Sequence, residues 1–177
     1  MKYIVIFFFY FSISYGQEVE ALNMVYQQES RISHVGINMP KNTALQTIDA
    51  CDKRINENPQ DWQAYYSRAR SKQILNDFKA SIVDTDVLIE NGQLLKLAYW
   101  VQGESQVNLM EFENAIESFK EAIKYYDSPY TIARINFFIG MCYIKKEKEQ
   151  EACLYFEKMG DFKSHNGFKL LKNYCLK

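Results

Sequence analysis

The sequence predicts an all-α fold with an internal repeat, and three observations carry that prediction. Only seven glycines and three prolines punctuate 177 residues, so few turns interrupt the chain. Apolar residues make up 47% of it and fall in long runs without the Val-rich alternation of half-buried strands. Third, two stretches, WQAYYSRARSKQILNDFKASIVDTDVLIE from Trp62 and KLAYWVQGESQVNLMEFENAIESFKEAIK from Lys96, read as two copies of one pattern. A chain of this length supports one domain with a real core and does not require two.

Taken in order, residues 1–16 (MKYIVIFFFYFSISYG) join Lys2 to an uncharged, mostly apolar run from Tyr3 to Tyr15 and then Gly16. That is the pattern of a secretory leader, shorter than the roughly 20 residues a membrane-spanning helix needs. The mature chain is expected to begin at Gln17 in a periplasmic or extracellular space, with no stable membrane insertion. Residues 17–41 are expected to supply a helix from Glu18 to about Ser30 and a linker, because Gly36 and Pro40 oppose a regular helix. Residues 42–162 are the repeat array and 163–177 its C-terminal capping helix.

Within the array, NTALQTIDACDKRINENP reads as the second helix of an incomplete first unit, stopped at Asn58-Pro59, and Asp61 caps the next helix. The two full copies then align at an offset of 34: Tyr65 with Tyr99, Ala69 with Gly103, Phe78 with Phe112, Ser81 with Ala115, Ile89 with Ile123. In the second copy Phe112, Ala115, Ile116, Phe119, Ala122 and Ile123 make one buried helical stripe. A third copy fits at an offset of 37, with Gly140, Ala152 and Phe156 answering Gly103, Ala115 and Phe119. Its three additional residues are close to one helical turn, placed where Ser128 caps and Pro129 opens a helix, so its first helix is expected to be one turn longer. Glu149 replaces the phenylalanine that opens the other second helices. Past Phe162, HNGFKLLKNYCLK sets Phe168, Leu171 and Cys175 along one side, as a cap over an open stack requires.

A period of 34 with small residues at the helix contacts resembles the tetratricopeptide repeat, whose helix-turn-helix units stack into a right-handed superhelix. The resemblance spans about 120 residues, Asn42 to about Phe162, and implies about three repeats acting as a protein-binding scaffold. It also implies that first helices line a concave groove. Carried over by alignment, the groove positions are Gln63, Tyr66, Ser67, Arg70 and Gln73, then Leu97, Trp100, Val101, Glu104 and Asn108, then Arg134, Phe137, Phe138, Met141 and Lys145. The carboxylate clamp of Lys, Asn and Arg used by the family's best-known peptide sites is absent. In its place stand Tyr66, Trp100, Val101, Phe137 and Phe138 with the charges of Arg70, Glu104 and Arg134. Aromatics with arginine make dense binding centres, so the expected partner is an apolar or amphipathic segment of another protein. Two plainer readings stand beside it: the segment from Glu18 to Ser30 fills the groove, or these aromatics are core. In the first of these the chain is a structural subunit of a larger envelope assembly.

Other chemistry finds little support. The net charge of −1 gives no reason to expect nucleic acid. His34 and His165 are the only histidines and read as solvated loop residues, no Gly-rich phosphate loop is present, and no cofactor or metal is implied. Catalysis is not expected. The four cysteines, Cys51, Cys142, Cys153 and Cys175, match no zinc or Cys-x-x-Cys spacing. Free, buried thiols are the plain expectation, while Cys142 and Cys153 stand at equal height on a helical hairpin and allow a disulfide there.

Overall fold

The computed structural model describes Glu20, residues 39–159, Tyr174 and Cys175. The expected leader, the Glu18–Ser30 helix apart from Glu20, both histidines and most of the capping helix lie outside the described residues. Within them the chain forms seven helices and no strand: α1 (Lys41–Glu57), α2 (Trp62–Ile74), α3 (Phe78–Glu90), α4 (Leu95–Asn108), α5 (Phe112–Ile123), α6 (Pro129–Lys145) and α7 (Glu149–Glu157). Each helix packs on the next, and α2 also meets α4, so the first helices of successive pairs are neighbours. The third first helix is the longest, 17 residues in α6 against 13 in α2 and 14 in α4.

The boundaries follow from local chemistry. Asp61 accepts from the backbone N–H of Ala64, Asp77 from that of Ala80, and Ser128 from that of Thr131, with Pro129 opening α6. The turn inside each pair is built one way. Asn76, Met110 and Glu147, equivalent under the repeat, all have φ near +60°, and the next residue donates its N–H back to Lys72, Gln106 or Tyr143. This is the hydrogen-bonded helix stop in which a left-handed residue lets the chain reverse.

Packing within a pair follows an offset of 16. A Cβ on Gly103 would lie 2.7 Å from Cε1 of Phe119, and one on Gly140 would strike the Phe156 ring harder still. The missing side chain is therefore what lets each phenylalanine seat against the first helix. In the first full pair the same two positions hold Ala69 and Thr85, both fully buried.

A second set of contacts follows the same offset one residue earlier along the first helices. Arg68 on α2 reaches back to Asp52 of α1 and forward to Asp84 of α3 (Nη2 to Oδ1, 2.6 Å), which Lys72 also holds at 2.8 Å. One repeat later Arg68, Lys72 and Asp84 are answered by the neutral Gln102, Gln106 and Ser118: Gln102 donates to Asp86, the equivalent of Asp52, and the Ser118 hydroxyl is shared between the Oε1 atoms of Gln102 and Gln106. In the last unit they are Ile139, Tyr143 and Tyr155, the two tyrosines stacked with ring centroids 5.4 Å apart. Three units solve one contact with ions, amides and aromatic rings in turn.

The cysteines correct both sequence expectations. Cys153 of α7 is bonded to Cys175, so the four are not all free and the Cys142–Cys153 bridge does not form. Equal height on a hairpin did not mean facing sides: Cys142 points into the core with Ala115, Ile116 and Phe138, whereas Cys153 stands half-buried on the opposite flank of the pair. Cys51 and Cys142 are free and buried.

Candidate functional site

The face shared by α2, α4 and α6 holds the eight residues predicted to meet a partner, and the structure sorts them into two groups. Trp100, Val101, Phe137 and Phe138 are buried, at most 9% exposed. They do not form the open apolar strip expected from the sequence. Trp100 packs edge-on to Phe119 of its own pair and to Phe138 of the next, at 6.0 and 5.7 Å between ring centroids. Phe138 stacks on Phe119 at 5.6 Å. Phe137 turns to the other flank, against Phe156 and Tyr174. The reason is geometric: a first helix inside a stack touches its own second helix and the units on either side. Residues 135–142 of α6 are consequently all buried, and two adjacent phenylalanines can both be core.

Polar candidates converge instead. Arg70 and Glu104 occupy the same position of successive repeats and form an ion pair at 2.8 Å, both side chains under a tenth exposed. Arg70 also donates to Gln73 Oε1, and the Gln73 amide donates to the Val101 carbonyl and to Ser105. Arg134 lies over the Trp100 ring at 5.4 Å and near Tyr130 at 5.8 Å. Tyr126 packs edge-on to Trp100. Burial pushes its phenol up to about 12, and Tyr66 packs against the same core as Tyr126. Tyr66 and Arg134 remain partly accessible and Tyr130 is exposed.

Within the cluster, Oε1 of Glu104 is buried and makes no hydrogen bond among the described residues, a state that ordinarily costs about 1–3 kcal/mol and more for a charged group. Sequence reasoning missed Tyr126 and Tyr130. The first lies in the turn before α6 and the second in its first turn, where the repeat alignment was given no groove position. Gln73 was placed in the groove but not recognised as the bridge to α4.

Among the described residues, no group of three or more His, Cys, Asp or Glu side chains is placed to hold a metal ion. No described helix is long and apolar enough to cross a membrane.

A family model described as Tetratricopeptide repeat matches residues 133–159, which is the third pair, α6 with α7. Residues 133–159 thus carry a tetratricopeptide repeat. The match falls on the unit that departs most from its neighbours, with the longer first helix and with Glu149 at the phenylalanine position. The two pairs before it repeat the same turns, small-residue contacts and helix order. No curated protein and no solved structure matches the chain. Repeats of this family point to a protein–protein interaction module.

Proposed function

We propose that this tetratricopeptide-repeat protein holds an amphipathic segment of a partner protein along the α2–α4–α6 face, in an extracytoplasmic space. The observation that carries the reading is the cluster around Glu104. A rigid floor of Trp100, Val101 and the Arg70–Glu104 pair supports an accessible rim of Tyr66, Tyr130 and Arg134, and a buried carboxylate oxygen within it has no hydrogen-bond donor among the described residues. Aromatic and arginine side chains on a preorganised base are the usual centre of a binding surface. Phe137, Phe138, Trp100 and Val101 then act from beneath by fixing the helices, and Tyr66, Arg70, Glu104 and Arg134 give the face its specificity. The role is binding, not catalysis. The Cys153–Cys175 disulfide supports the location, since such bonds persist in oxidising spaces.

The test is capture from envelope extract by residues 17–177 carrying Tyr66→Ala and Arg134→Glu, beside the unaltered bait. Both changes are at partly exposed positions, so the fold is retained, which a circular dichroism spectrum verifies. A partner captured by the unaltered bait and lost by the variant supports the proposal. Equal capture by both places the interface elsewhere on the array and favours a structural subunit. Trp100→Ala is not suitable, because it removes a buried ring and tests packing.

A further inference from the structure

We propose that the Cys153–Cys175 disulfide is a redox latch that keeps the C-terminal end of the array closed. The last pair, α6 and α7, has no further described helix pair beyond it, and its outer flank is apolar: Phe137, Met141, Ile144 and Phe156 are each under a tenth exposed. Tyr174 completes this cluster at 2% exposed. The next residue, Cys175, is bonded to Cys153 on α7 across a sequence separation of 22. The bond therefore ties the residue beside the plug directly to the helix being plugged. Held this way, Tyr174 stays at the end face at high effective concentration; without the bond it loses that constraint.

The arrangement of the other thiols makes this bond individually addressable. Cys153 and Cys175 are half-buried, within reach of a small dithiol. Cys51 and Cys142 are 2% and 1% exposed, and burial raises both thiols, that of Cys142 to about 12. Exchange requires a thiolate, so neither can attack the bridge and scramble it at neutral pH. The reaction is a two-electron exchange with a dithiol reductant. One reductant thiolate attacks a bridge sulfur and releases the other cysteine as thiolate; the second reductant thiol then displaces the first cysteine. The products are Cys153 and Cys175 as thiols and the reductant as a cyclic disulfide. The latch then opens, and Phe137, Met141 and Phe156 lose their cover.

The experiment uses the full mature chain, reduced with dithiothreitol under native conditions. One portion is alkylated with iodoacetamide and mapped by mass; another is read by hydrogen exchange without alkylation. The expected result is adducts on Cys153 and Cys175 and none on Cys51 or Cys142. Exchange over 137–144 and 149–157 should rise at least tenfold while 62–108 is unchanged. The Cys153→Ser/Cys175→Ser variant, never exposed to reductant, should show the same pattern, and Tyr174→Ala should open the same stretches with the bridge intact. Adducts on all four cysteines at one rate, no adducts on Cys153 and Cys175, or unchanged exchange after their reduction would each overturn the proposal.

Discussion

Arg70 and Glu104 stand 34 residues apart at the same position of two consecutive repeats and meet in a 2.8 Å ion pair inside the stack. The pair joins α2 to α4 beneath the candidate binding face. Removing one partner leaves the other charge buried, so Arg70→Met should destabilise the protein by about 3–5 kcal/mol. Replacing both, as Arg70→Met with Glu104→Leu, should recover most of that loss. Urea unfolding of the four proteins in a double-mutant cycle measures it, and additive losses would show that the pair is not coupled.

Gly103 lacks a side chain because Phe119 occupies that space. Alanine in place of glycine favours a helix by about 1 kcal/mol. Here a Cβ would meet the ring at 2.7 Å, and the ring is fully buried and stacked on Phe138, so it has nowhere to move. Gly103→Ala should therefore be a net loss of about 1–2 kcal/mol. Gly140→Ala should be worse, because Phe156 is closer. The midpoint of denaturant unfolding decides it; a gain at either position contradicts the packing described.

Met110 adopts φ +61° and its side chain is 75% exposed. A left-handed conformation strains any residue with a Cβ, and glycine is free of that strain but loses more entropy on folding. With little packing to lose, Met110→Gly should stabilise the protein by about 0.5–1 kcal/mol. Thermal unfolding should show a higher Tm, and the exposed equivalent Glu147 should behave alike.

Tyr126 gives the array a pH signature. Its phenol is pushed up to about 12 in the folded chain by burial, against about 10 when unfolded. The native state thus holds the proton longer. The stability this contributes is complete below about pH 10 and declines as pH rises from there toward 12. Burial raises the phenols of Tyr99 and Tyr143 as well, so among thirteen tyrosines absorbance at 295 nm should show several late components, the last of which vanishes in Tyr126→Phe.

Much of the fold was legible because the repeat is written in small and aromatic residues. Phe78 and Phe112 open their helices, Ser128 and Pro129 start the lengthened α6, and Asp61 caps α2, each as read from the sequence. The candidate face was legible only in part. An alignment assigns a residue to one side of a helix, but first helices here contact neighbours over most of their circumference. Trp100 and Phe138 thus became interior links between units while Arg70 and Glu104 found each other. The second set of contacts was available to the same 34-residue offset, had it been applied to Arg68, Asp84, Gln102 and Ser118. The Cys153–Cys175 bond was not, because spacing says nothing of which flank a cysteine occupies.

The most direct test of the binding face is site-specific photocrosslinking in envelope extract, with benzoylphenylalanine placed at Tyr66 and, separately, at the exposed Val83 of α3. The account predicts a discrete crosslinked partner from position 66, none from position 83, and loss of the product when Arg134→Glu is added. A partner crosslinked from position 83 and not from 66 would contradict it.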